Sequence, residues 1–180
     1  MLTISVPTQK MYDEEKGEFV FGGFVTLELE HSLVSLSKWE SQYEKAFLGK
    51  QEKTEAEVLG YVKAMTLTPD VPDEVFFKLS AENIDEINAY INKKMTATHF
   101  VEPPGAPQTR DVITAELIYY WMTVFNIPFE CENWHLNRLF SLIRVCNIKQ
   151  AKPKKTSPAE AAAQRRELNA RRRAQLGSKG

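Results

Sequence analysis

Cys131 and His135 are four residues apart in a stretch predicted to be helical, so both side chains fall on one face. Thiolate and imidazole are zinc ligands, and Cys146 and His99 would complete a four-ligand shell. Structural zinc sites usually show two close ligand pairs, whereas this chain offers one. The pattern therefore favours a buried cysteine beside a hydrogen-bonded histidine, and we expect neither a metal nor any other cofactor.

A second group, His31 with Ser32, Ser35 and Ser37, could supply a serine nucleophile and its base. The simpler interpretation is that Ser32 or Ser35 caps the helix that follows. The sequence holds no glycine-rich phosphate loop, no Gly-x-Ser-x-Gly elbow and no His-Glu-x-x-His helix. We therefore predict that the protein is not an enzyme and has no catalytic residues.

Aromatic side chains at helical spacings are mostly core residues, with a minority exposed as anchors for a partner. The adjacent Tyr119 and Tyr120 must face different directions on one helix, so one of them is a candidate anchor. We predict partner contacts at four aromatic and five arginine positions. They are Trp39, Tyr43, Tyr119, Tyr120, Arg165, Arg166, Arg171, Arg172 and Arg173.

The net charge of −1 conceals two oppositely charged parts. Residues 149–180, the basic arm, carry ten Lys/Arg against two Glu, which is +8; residues 1–148, the acidic body, carry 13 basic and 22 acidic residues, which is −9. The arm has three interpretations: docking on an acidic protein surface, including the body of a neighbouring copy, a solvated tail, or phosphate binding. No aromatic residue interleaves with the arginines, so we rank nucleic acid last.

The pattern of the first thirty residues predicts β-structure. Leu2–Val6 and Phe24–Glu30 alternate apolar and polar residues, as half-buried strands do. Between them, Glu18–Phe21 is a candidate middle strand, flanked by predicted turns at Asp13–Gly17 and Gly22–Gly23. Thr96–Phe100 is also β-prone and predicts a return to the sheet.

From residue 32 the periodicity is helical. We predict helices from Leu33 to about Gly49, from the Thr54 capping box to Met65, from Asp73 to Leu79 and from Ser80 to Met95. After a surface connection at Glu102–Pro107, Thr109–Asp111 should begin the most apolar helix, and Pro128 should open the next one. These two helices, of about 17 to 20 residues, would form the core as an αα-hairpin.

Beyond a linker at Ala151–Lys155, Ser157 and Pro158 predict the start of a helix with almost no apolar stripe. The predicted fold class is therefore α+β and mostly helical: a small antiparallel sheet on a helical bundle, with a basic helix outside the core. We predict a globular domain over 1–148, β-rich in 1–30 and helical in 32–148, and a linker with a solvated helical arm over 149–180. No apolar run is long enough to cross a bilayer, and two cysteines suggest a reducing compartment.

Most of the chain, from about residue 24, resembles a family of small proteins from long-tailed bacteriophages, described as tail assembly chaperones. The resemblance is carried by four internal segments and the C-terminal end: Leu29–Ser41, Met95–Phe100, Val112–Tyr120, Trp134–Leu139 and Leu176–Gly180. It implies a non-enzymatic protein of the host bacterial cytoplasm that coats the tape measure protein, promotes assembly of tail tube protein around it, and leaves before the tail is finished. Such families often include a frameshift-extended form.

Two alternatives belong to other classes. The protein could be a virion component, such as a head–tail connector or a minor tail protein, or a DNA-binding protein that uses the basic arm. A homo-oligomer held by the acidic body and the basic arm is compatible with the chaperone role, whereas a membrane partner is not expected.

Overall fold

The computed structural model describes residues 1–13, 17–100, 112–151 and 158–177. It divides into two compact units, Met1–Asn147 and Ile148–Gly180. Within the first unit a two-stranded antiparallel sheet packs with helices, so the predicted α+β, mostly helical fold class is confirmed. The predicted connection at Glu102–Pro107, the helix start at Thr109–Asp111, the cap at Ser157 and all but the first residue of the 151–155 linker lie outside the described residues.

The sheet is one hairpin of strands β1 (Leu2–Asp13) and β2 (Glu18–Leu29). Its register pairs Leu2 with Leu29 and Asp13 with Glu18. The predicted middle strand does not exist as a separate element, because Glu18–Phe21 and Phe24–Leu29 form one continuous β2. Gly23, expected in a turn, instead continues the strand at a φ of +70°, a conformation that glycine adopts without steric cost.

Helices α1 (Leu33–Tyr43), α2 (Glu55–Met65) and α4 (Ala81–Ile91) each begin with a capping box, and α3 (Asp73–Phe76) is a single turn. The hydroxyls of Ser32, Thr54 and Ser80 accept the third backbone N–H of their helices, which confirms the predicted caps. Helix α1 ends earlier than predicted, because Glu44 takes a left-handed φ of 53°. Residues 96–100 form no strand, so the predicted return to the sheet is wrong.

The two apolar helices near the C-terminal end of the body are shorter than predicted. Helix α5 spans Ala115–Val124 with Thr114 as its cap, and α6 spans Leu136–Gln150. Pro128 precedes a separate 3-10 turn, Phe129–Asn133, instead of opening α6. Asn126, at a φ of 52°, already turns the chain away from α5.

The hydrophobic core has two clusters instead of the single αα-hairpin that the sequence predicted. The first joins the inward faces of β1 and β2 with α2, α3, α4 and Trp39 of α1. The second joins α5, the 3-10 turn and α6 with Leu33 and Leu36 of α1. Helix α1 therefore contributes to both clusters.

The second unit contains helix α7 (Pro158–Leu176), which begins at the predicted proline. Every side chain whose burial is described in α7 is exposed, as expected for a helix without an apolar stripe. Among the described residues, no helix is both long enough and apolar enough to span a membrane.

Candidate partner-binding site

An apolar groove of about 230 Å³ opens between α2 and α4. Most of its lining comes from side chains of α2 and α4 at helical spacings. The lining residues are Phe47, Lys53, Val58, Tyr61, Val62, Ile84, Ile87, Asn88 and Ile91. Val58 is 44% exposed, so the lip of the groove presents apolar surface to solvent.

Aromatic rings form the floor of this groove. The Phe47 ring stacks on Tyr61 with centroids 3.7 Å apart, and Trp39 meets the edge of Phe47 at 5.0 Å. Lys53 Nζ lies 4.8 Å from the Phe47 centroid and places a cation at the mouth. The groove therefore combines a rigid apolar floor with a charged edge.

Trp39 was predicted to contact a partner, but it is 1% exposed and belongs to the core. Its Nε1 donates to the Glu57 carbonyl oxygen at 2.7 Å, which ties α1 to α2 from inside. Glu57 also closes the α2 capping box and accepts from Lys45 Nζ at 2.5 Å. The Lys45 hydrogen bond, with the Thr54 amide, lowers the pKa of the Glu57 carboxyl.

Tyr43, the second predicted contact on α1, is half-buried. Its hydroxyl donates to the Ala56 carbonyl oxygen at 3.3 Å, and its ring lies directly against Gly60 of α2. A side chain at position 60 would overlap that ring, so the glycine permits the close approach of α1 and α2.

On α5 the two adjacent tyrosines face different directions, as the sequence indicated. Tyr119 is half-buried and donates to Glu132 Oε2 at 2.7 Å; burial and that carboxylate raise the pKa of its phenol. Tyr120 is 62% exposed, and Val124, one turn later, is also exposed. Tyr120 is therefore available to a partner, whereas Tyr119 is held by Glu132.

The five predicted arginines of α7, residues 165, 166 and 171–173, are all exposed. Arg171 donates to Glu167 Oε1 at 2.9 Å, an i,i+4 ion pair on the helix surface. The other arginine charges on this helix face solvent together with Arg171, which makes α7 a densely cationic surface.

Two of the histidines considered from the sequence, His31 and His135, lie in a buried polar cluster between the two core clusters, whereas His99 is exposed. His31 Nδ1 is 2.6 Å from the Tyr61 hydroxyl, and the rings of His31 and His135 are 5.1 Å apart. His135 Nε2 donates to the Tyr90 carbonyl oxygen at 3.0 Å, and its Nδ1 accepts from the Asn137 amide at 3.2 Å. Both nitrogens of His135 are satisfied only when the ring is neutral.

Burial, followed by the repulsion of His135, lowers the pKa of His31 to about 4. Burial likewise lowers the pKa of His135 and raises the pKa of the Cys131 thiol. Among the described residues, no group of three or more His, Cys, Asp and Glu side chains is placed to hold a metal ion. The hydroxyls of Ser32 and Ser35 are engaged in the α1 cap, as the capping interpretation predicted.

The groove itself could not be identified from the sequence. Val58 and Ile84 lie on two different helices, and the alignment of the two helix faces along an open groove is a tertiary property. The only available signal was the presence of apolar stripes on two short helices that also carry many charges.

No protein-family model, curated protein or solved structure matches this chain.

Proposed function

We propose that this protein is a non-enzymatic bacteriophage tail assembly chaperone that binds the tape measure protein and promotes assembly of the tail tube. The family resemblance suggests the role, and the apolar groove between α2 and α4 is the observation that carries it. A helical client protein does not aggregate before assembly if its apolar face is covered. An apolar groove between two helices can cover it, because such a groove accepts the apolar face of an amphipathic helix.

The edge of the groove suits a reversible contact. Lys53 lies over the aromatic floor and Asn88 stands on the opposite helix, so client side chains that flank the apolar stripe meet polar partners at the rim. Rim charges affect association rate and specificity more than affinity, which suits a chaperone that must leave before the tail is complete.

The basic arm provides a second attachment in this proposal. The five arginines of α7 attract acidic stretches of the client or the acidic body of a neighbouring copy, whose charge is −9. Because these charges are exposed, the contribution of the arm should fall as the salt concentration rises. In this proposal the protein acts in the host bacterial cytoplasm. The tail tube protein is its second partner.

Co-expression with the tape measure protein tests the groove. We expect Val58→Glu to reduce the amount of soluble client recovered, because it puts a charge on the apolar lip. Leu67→Glu is the matched control, since Leu67 is 55% exposed but does not line the groove. Equal recovery with both variants would refute the groove as the client site.

Mass spectrometry of finished phage particles tests the departure of the protein. A chaperone should be absent or present only in traces. Stoichiometric amounts in the particle would instead establish a virion component such as a connector or minor tail protein.

A further inference from the structure

One face of helix α7 carries four arginines in two rows. Residues seven apart in a helix lie nearly above one another, so Arg165 aligns with Arg172 and Arg166 aligns with Arg173. Within each row the two positions are about 10 Å apart along the helix axis. Asn169, which is exposed, lies between the rows by its position in the helical repeat. We call these four arginines the arginine face.

The charges of the arginine face are free to meet a partner. Its four arginines are exposed, and none of them pairs with a carboxylate among the residues that the structure describes. Arg171 lies nearly opposite this face, and its charge is compensated by the ion pair with Glu167 at 2.9 Å. A dense group of unpaired cations attracts anionic surface. The surface that complements the arginine face is therefore an acidic one.

Helix α4 of the body carries the complementary charge. It contains three acidic residues and no Lys or Arg. Glu82, Asp85 and Glu86 are exposed and follow the i, i+3, i+4 spacing of one helix face, which we call the acidic face. None of the three forms an ion pair within the described part of the chain. Ile84 and Ile87 line the apolar groove from the other side of α4, so a partner on the acidic face leaves the groove open.

We propose that the arginine face of one copy docks on the acidic face of α4 in a second copy, with the carboxylates received between the two arginine rows. The contact joins two different surfaces, and every copy carries both, so it repeats from copy to copy. Exposed ion pairs are individually weak, which makes the contact reversible and sensitive to salt. The inference rests on the role of the basic arm in the proposed function and names its partner. Each added copy brings another apolar groove, as the coating of a long client requires.

Sedimentation velocity of the full-length protein over a range of protein concentrations tests this contact. We expect concentration-dependent association at about 0.02 M salt that is largely lost at about 0.5 M salt, because the screening length falls from about 20 Å to about 4 Å. Arg172→Glu should weaken the association about threefold to tenfold, since it replaces an attraction between exposed charges with a repulsion of similar size. Arg171→Glu is the matched control, because it makes the same change at the neighbouring position outside the arginine face, and it should leave the association nearly unchanged.

A charge exchange identifies the partner surface. Glu86→Arg should weaken the association as Arg172→Glu does, and a chain that carries both changes should regain it, because the pair forms again with reversed charges. Glu28→Arg, at an exposed position of β2, restores the same net charge and should not rescue Arg172→Glu.

Three results would overturn the proposal: a monomer at every concentration in low salt, equal weakening by the two arginine variants, or no greater recovery with Glu86→Arg than with Glu28→Arg. These measurements contain no client protein. A failure here is therefore distinct from a failure of the proposed function, which is read from the recovery of soluble tape measure protein with Val58→Glu.

Discussion

Acidification from about pH 7.5 to about pH 5 should destabilise the body through His31, which is 2% exposed and holds a pKa of about 4. The unfolded chain returns this imidazole to its ordinary pKa of 6.5. Between these two values the unfolded state binds more protons than the folded state, so stability falls as the pH falls. The loss begins near pH 6.5 and levels off below about pH 4.

The magnitude follows from the two pKa values of His31. Proton linkage gives a loss of about 2 kcal/mol between pH 7.5 and pH 5, and a limit of about 3 kcal/mol at lower pH. His135 acts in the same direction, because burial lowers its pKa too. Glu57, whose pKa is also lowered, loses its contribution only as the pH falls below its ordinary value of 4.5, outside this window.

Urea unfolding at a series of pH values measures this loss. The matched variant is His31→Gln, whose amide can still meet the Tyr61 hydroxyl but cannot take up a proton in this range. We expect the variant to lose most of the pH dependence between pH 7.5 and pH 5, whatever its stability at neutral pH. An equal slope for wild type and variant would refute the role of His31, and a flat wild-type profile would refute the buried neutral cluster.

Three further changes test individual contacts. Glu40→Ala should lower the free energy of unfolding by about 3 kcal/mol, because Glu40 Oε2 accepts from the buried Ala115 amide at 2.7 Å and Oε1 accepts from the Phe47 amide at 2.9 Å. Thermal unfolding measures this loss, and Glu40→Gln should lose less stability than Glu40→Ala. Gly60→Ala should cost about 1–3 kcal/mol in urea unfolding through overlap with the Tyr43 ring, and additivity with Tyr43→Ala would contradict that clash. Ser80→Ala should cost about 1 kcal/mol by calorimetry through loss of the α4 cap, whereas Ser80→Asn should be nearly neutral.

The local features of this fold could be predicted from the sequence. The caps at Ser32, Thr54 and Ser80 depend on side chains within three residues of each other, so the pattern contains all the information needed. The antiparallel pairing of Leu2–Val6 with Val25–Leu29 likewise follows from alternation along the two segments, whereas the continuation of β2 through Gly22 and Gly23 does not.

The missed features depend on contacts between distant residues. Helix α5 begins at Ala115 with its amide bound by Glu40, a residue of α1 that no local pattern connects to position 115. Trp39 was assigned to a surface because spacing shows which face of a helix is apolar, but not which element covers that face. The apolar groove was missed for the same reason, since Val58 and Ile84 belong to different helices.

The position of α1 in both core clusters has a consequence for the behaviour of the body as a whole. Trp39 belongs to the first cluster, whereas Leu33 and Leu36 belong to the second, on the same eleven-residue helix. Neither cluster can lose its packing without removing one wall of the other. The body therefore unfolds as one cooperative unit, and the α1 amides, protected by both clusters, exchange with solvent only when the whole body opens.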